Sequence, residues 1–202
     1  MSQLKLTADG GGGTVAIKGP ASTTSNNAFE LTVPGTANGT ILTSNSSVGK
    51  ILQVVQHSFT TETSSTSITD VSIGGSSKAL TLSSSSNSVL IIASIYCRWY
   101  RSYSGQGMSL TLRKTVSGGS ITDIYEPKGH GFMAFDDTSQ LSGHDMRTMQ
   151  TLVHMDTPGN TGVTYELYGR GYTTSNSGSW AVNRTDNGDT ARSQIVFMEI
   201  AA

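Results

Sequence analysis

Between Val89 and Tyr100, every odd position (Val89, Ile91, Ala93, Ile95, Cys97 and Trp99) is apolar. A repeat of two is strand geometry, because a helix turns residues i and i+2 to different sides. The even positions Leu90, Ile92, Ser94, Tyr96, Arg98 and Tyr100 add two aliphatics and two tyrosines. A strand this apolar on both faces belongs inside a sheet with one face against a core. Its other face needs cover, either from a second layer of the same chain or from another subunit.

Composition extends this reading to the whole chain. Thirty Ser, 27 Thr and 23 Gly fill 80 of 202 positions. Glycine costs about 1 kcal/mol per helical site relative to alanine, and Ser and Thr compete for backbone hydrogen bonds. A helical bundle or coiled coil is excluded. Further strands are expected at Ile51–Phe59, Ala79–Leu82, Met108–Leu112, Ile121–Tyr125, Gly131–Phe135, Arg147–Met155, Val163–Leu167 and Gln194–Ile200, with turn clusters between them. Within Arg147–Met155, the residues Met149, Val153 and Met155 share one parity. Helix is limited to one short piece near Asp137–Thr148, and Gly143 weakens even that. The pattern is that of an all-β chain whose main body is an antiparallel β-sandwich of the jelly-roll kind.

The first fifty residues differ from the rest. Of 14 aromatic residues, only Phe29 and Phe59 precede residue 96. Gly10–Gly13, Gly19-Pro20, Pro34-Gly35 and Asn38-Gly39 break the arm into three β-like pieces: Thr14–Lys18, Ala28–Val33 and Thr40–Leu42. Its candidate anchoring residues are Val15, Ile17, Phe29, Leu31 and Val33. Five such side chains at about 1.5–3 kcal/mol each cannot offset about 1–2 kcal/mol of backbone entropy for every residue ordered. The expected organisation is an extended arm over residues 1–50, held by contacts outside its own chain, and a sandwich head over residues 51–202.

Little here points to catalysis. A net charge of −1 gives no field for nucleic acid, although Tyr96, Arg98, Trp99, Tyr100, Arg101 and Tyr103 are suitable residue types. No apolar run is long enough to span a membrane, and the opening residues lack the apolar core of a signal peptide. The lone Cys97 excludes an intrachain disulfide. No Gly-x-Ser-x-Gly elbow or phosphate loop occurs, and His130, His144 and His154 have no metal-ligand spacing. Asp186-Asn187-Gly188-Asp189 looks like half a calcium loop but lacks the distal glutamate and reads as a turn. Neither a cofactor nor a metal is expected.

The segment Leu6-Thr7-Ala8-Asp9-Gly10-Gly11-Gly12-Gly13-Thr14-Val15-Ala16-Ile17-Lys18-Gly19-Pro20-Ala21 resembles the opening of virion structural and tail-fibre proteins of marine tailed bacteriophages, particularly those infecting cyanobacteria. Leu31–Thr43, a short apolar strand, a proline, a Gly/Asn turn and a leucine-bearing strand, is similar to a recurring fibre element, and the likeness covers roughly residues 4–56. The C-terminal half resembles, more loosely, the heads of phage fibres, which are compared with trimeric C1q- or TNF-like domains. The resemblance implies a homotrimer in the virion without a cofactor, and the opening residues, lacking a signal peptide's apolar core, imply synthesis in the host cytoplasm.

The expected role is therefore a short trimeric tail fibre. Leu90, Ile92, Tyr96 and Tyr100 are its candidate subunit interface. The loops around Arg101, Tyr103, His130 and Trp180 are its candidate host-facing surface for a glycan or protein. A trimeric capsid decoration protein is the alternative. A glycan-cleaving tailspike is a further one, and the short chain counts against it.

Overall fold

The computed structural model describes residues 3–7, 14–18, 50–101, 106–126, 133–135, 144–171, 178–185 and 191–202. The chain divides into two units, residues 1–43 and 44–202. In the first, β1 (Gln3–Thr7) and β2 (Thr14–Lys18) form an antiparallel hairpin. Strand β2 coincides with the first β-like piece of the arm. The pairings Leu4 with Ile17 and Leu6 with Val15 put these four residues at register positions sharing one face. Phe29, Leu31 and Val33 lie outside the described residues.

The second unit is all-β, with no helix among the described residues. It contains β3 (Ile51–Phe59), β4 (Thr63–Ser65), β5 (Val71–Ser72), β6 (Lys78–Thr81), β7 (Ser88–Arg101), β8 (Gln106–Val116), β9 (Ile121–Tyr125), β10 (Met133–Phe135), β11 (His144–Asp156), β12 (Gly162–Gly171), β13 (Ser179–Val182) and β14 (Ser193–Ile200). The short helix considered near Asp137–Thr148 is not present over its described part. His144–Thr148 belongs to β11, where it pairs with Cys97–Arg101 of β7. A long non-local partner there outweighs local propensity.

Two sheets form the sandwich. In one, β11 and β7 lie side by side. Along β7's other edge run β14 and then β13, which carry β3 and β4 respectively. In the other, β8 and β12 are central, with β9 and β10 on the outer edge of β8 and β6 and β5 on the outer edge of β12. Each sheet is thus four strands wide, with the interleaved order of a jelly roll.

Hydroxyl side chains repair the ladder where one strand gives way to the next along a neighbour. Between β5 and β6, Ser76 Oγ accepts from Leu167 N at 3.1 Å. Between β13 and β14, Ser193 Oγ accepts from Tyr96 N at 3.0 Å and donates to Asn183 Oδ1 at 2.6 Å. Asn183 takes a left-handed φ of 53° and donates through Nδ2 to the Phe59 carbonyl at 3.1 Å. Asparagine tolerates that conformation better than most residues, and its amide satisfies groups that the break leaves open.

The odd residues of β7 fill the core, as their period requires. They meet Phe59, Ile73, Leu80, Leu82, Met108, Leu110, Leu112, Leu152, Val163, Tyr165, Leu167, Trp180, Ile195 and Phe197. A polar tie crosses between the sheets. Asp156 of β11, only 8% exposed, accepts from Lys114 Nζ of β8 at 2.7 Å and from the Tyr165 hydroxyl of β12 at 2.9 Å. Burial and the adjacent carboxylate both push the Tyr165 hydroxyl pKa upward, so it remains a hydrogen-bond donor.

Candidate interaction surface

The two sheets present different outer faces. On the β8–β12 sheet much of the outward surface is charged and paired, although Ile121 of β9, beside Thr115, is 60% exposed there. Arg113 forms ion pairs with Asp123 and Asp70 and lies over the Tyr168 ring at 4.1 Å, while Tyr168 donates to Glu166 at 3.1 Å. Arg170 reaches Glu126 at 3.2 Å. Hydrogen bonding to Asp123, set against burial, leaves the Arg113 pKa raised, so its charge is permanent. This face is suited to water.

On the β11–β7 sheet the outward residues follow from register. Val153, Ile92 and Val196 stand side by side on β11, β7 and β14. One row along, Met155, Leu90, Met198 and Val54 cross all four strands. Val54 and Val153 are each 58% exposed and Met155 is 51% exposed, while Leu90, Ile92, Val196 and Met198 are half-buried. Exposed Ile51 and Leu52, with half-buried Ile200, continue the apolar surface at the β3 edge. On the other side the band ends at a polar row: Thr151, Ser94, Gln194 and Ser58. No described residue covers the band.

Beyond the polar row the chemistry changes. Met149 stands beside Tyr96, and then come ions. Arg98 clamps Asp145 with two hydrogen bonds of 2.7 and 3.0 Å and lies 5.8 Å from the centre of the Tyr100 ring. Arg147 adds a third bond to Asp145 at 3.1 Å. The Arg98 hydrogen bond, with burial opposing it, holds the Asp145 carboxyl below the usual range. Of the four residues expected at an interface, Leu90 and Ile92 lie in the apolar band, whereas Tyr96 and Tyr100 lie in this mixed half. Sequence reading did not assign Val54, Val153, Met155, Val196 or Met198 to the same face. For Val153 and Met155 the signal was the parity shared with Met149, and parity does not say which side faces out.

The residues expected in host-facing loops separate. Trp180 is not in a loop. It lies on β13, is 1% exposed, and donates from Nε1 to the Ser67 carbonyl at 3.1 Å. Its ring lies against Gly169 of β12, where an added Cβ would sit 2.7 Å from Cζ3. A large apolar ring buries itself wherever a facing glycine leaves room. Arg101 is the last residue of β7, paired with His144. Tyr103 and His130 lie outside the described residues. Residues 102–105, which follow β7 in the chain, and 172–177, which follow β12, also lie outside the described residues.

His154 packs edge-on against Tyr125 at 5.9 Å, and His57 Nε2 lies 2.7 Å from the Gly75 carbonyl. Among the described residues, no three His, Cys, Asp or Glu side chains cluster closely enough to hold a metal ion. Cys97 is fully buried, and burial pushes its thiol pKa up to about 12, which removes it as a nucleophile. A groove of about 410 Å³ beside the β8–β9 turn is lined by residues such as Thr81, Thr115, Ser117, Gly118 and Thr164, without a titratable side chain.

No family model matches the sequence, and no curated protein matches it. Solved structures similar to the chain include one described as the structure of infectious bursal disease virus Gt strain. It is 16% identical over 74% of this chain and 38% of that one, with a TM-score of 0.36. Another is the crystal structure of the infectious bursal disease virus VP2 subviral particle, 16% identical over 75% of this chain and 39% of that one, with a TM-score of 0.35. This chain therefore spans less than two fifths of those chains.

Proposed function

We propose that this chain is a non-enzymatic structural subunit of a virion, and more specifically a short homotrimeric tail fibre of a tailed bacteriophage. The observation that carries this reading is the outer face of the β11–β7 sheet, an apolar surface crossing four strands that a monomer would leave in water. The arm supports it through its fibre-like motifs over residues 4–56 and through a two-stranded hairpin, a unit marginal by itself. In this reading the arm anchors the subunit to the particle. The sandwich head contacts a host glycan or protein.

Antibody labelling of intact particles, read by electron microscopy, tests the assignment. Tail-tip labelling is expected. Labelling confined to the capsid would replace the fibre with a decoration protein, and particles lacking the chain would overturn the virion assignment. Incubating the full chain with host polysaccharide should leave glycan lengths unchanged, and reproducible shortening would establish the tailspike reading instead.

A further inference from the structure

We propose that the subunit contact is the apolar band itself (Val54, Leu90, Ile92, Val153, Met155, Val196 and Met198) and that its occupant is a second copy of this chain. The inference rests on the homotrimer reading above. It narrows the contact to one half of the face and leaves the Tyr96–Tyr100 half outside.

Three features of the surface support this assignment. First, the band contains no titratable side chain, while its neighbours do. Arg98, Asp145 and Arg147 satisfy one another beyond the polar row, and the opposite sheet carries its own paired ions. A partner of different sequence is normally selected by complementary charge, and the band offers none. An uncharged apolar face instead has the composition of permanent contacts between copies, which resemble a core cut in half.

Second, the area fits. Four strands spaced about 4.8 Å apart, and residues of one face repeating about every 6.8 Å along them, give a band of about 300 Å² including the Ile200 edge. A stable contact buries about 800 Å² per partner, with an apolar centre and a polar rim. The band supplies the apolar centre, less than half of that area. Ser58, Ser94, Thr151 and Gln194 supply one rim, and Ser88 with Thr157 supply the other.

Third, the face is regular enough to pack on itself. The β11–β7 register runs unbroken from His144–Arg101 to Asp156–Val89. A regular sheet face accepts another sheet about 10 Å away with interdigitating side chains. Around a threefold axis each band meets both neighbours at an angle instead of one face to face, and the three together enclose an apolar centre and leave the paired ions in water.

The test uses the full chain in light scattering with circular dichroism. Wild type is expected at three times the 21.2 kDa chain mass, Val153→Asp at one third of that with an unchanged spectrum, and Tyr100→Asp still as the trimer. A monomeric wild type would overturn the homotrimer and this inference together. A trimeric wild type with a trimeric Val153→Asp would overturn the band alone, as would dissociation by Tyr100→Asp with Val153→Asp intact. If Val153→Asp fails to fold, Val153→Cys decides the question, because native Cys97 is buried and silent toward maleimide. Protection of the new thiol until the assembly is diluted apart supports the contact. Immediate labelling at trimer mass refutes it.

Discussion

Gly169 is where the sandwich is least able to accept one more carbon. A Cβ built there would lie 2.7 Å from Cζ3, 2.8 Å from Cη2 and 3.2 Å from Cε3 of Trp180. The ring has little room to retreat, since it is 1% exposed and tied through Nε1 to the Ser67 carbonyl. Overpacking of this kind costs about 1–3 kcal/mol. Replacing glycine with alanine also removes unfolded-state entropy, which returns about 0.4–1 kcal/mol. Gly169→Ala should therefore destabilise the chain by about 1–2 kcal/mol. In urea melts followed by tryptophan fluorescence at fixed protein concentration, the midpoint should fall while the slope stays constant. The double variant Gly169→Ala with Trp180→Leu should show a coupling of about 1 kcal/mol or more, because removing the ring removes the clash. A neutral or stabilising Gly169→Ala, or additive single effects, would show that Trp180 is not packed as described.

Three further outcomes follow from the polar and thiol groups. Asn183→Ala should cost about 2–4 kcal/mol in a denaturant melt, because it strands the Ser193 hydroxyl and the Phe59 carbonyl and strains a left-handed backbone position. Glu199, 3% exposed on β14, is raised by burial, but bonds from Asn87, Ser83 and Gln53 together prevail and leave its pKa lowered. A lowered folded-state pKa means that its stabilisation is complete above the ordinary glutamate value of about 4.3 and is lost as pH falls through the folded value. Melting temperatures taken downward from about pH 6 should therefore fall more steeply for wild type than for Glu199→Gln, and parallel curves would refute the role. Cys97 should resist a thiol reagent at pH 8 in native protein and react fully in denaturant, whereas rapid native labelling would contradict its burial.

Local pattern determined much of the head. The two-residue period of β7, the spans of β3 and β9 and the inward parity of β8 and β12 are readable because alternation is a property of the strand alone. The same pattern says that a strand has two faces without saying which one turns inward. In β11 the richer apolar parity, Met149, Val153 and Met155, is exposed, while Thr148, Gln150 and His154 point inward beside buried Leu152. That sign is set by β7, whose more apolar odd face takes the core and carries its paired strand with it. Trp180 follows the same logic, since its place depends on Gly169, a residue on another strand in the facing sheet. The band that joins Val54 to Met198 and Val153 exists only once distant strands pair. Alternation is encoded within a few neighbours, whereas facing and pairing are decided by which partners bury the most surface together.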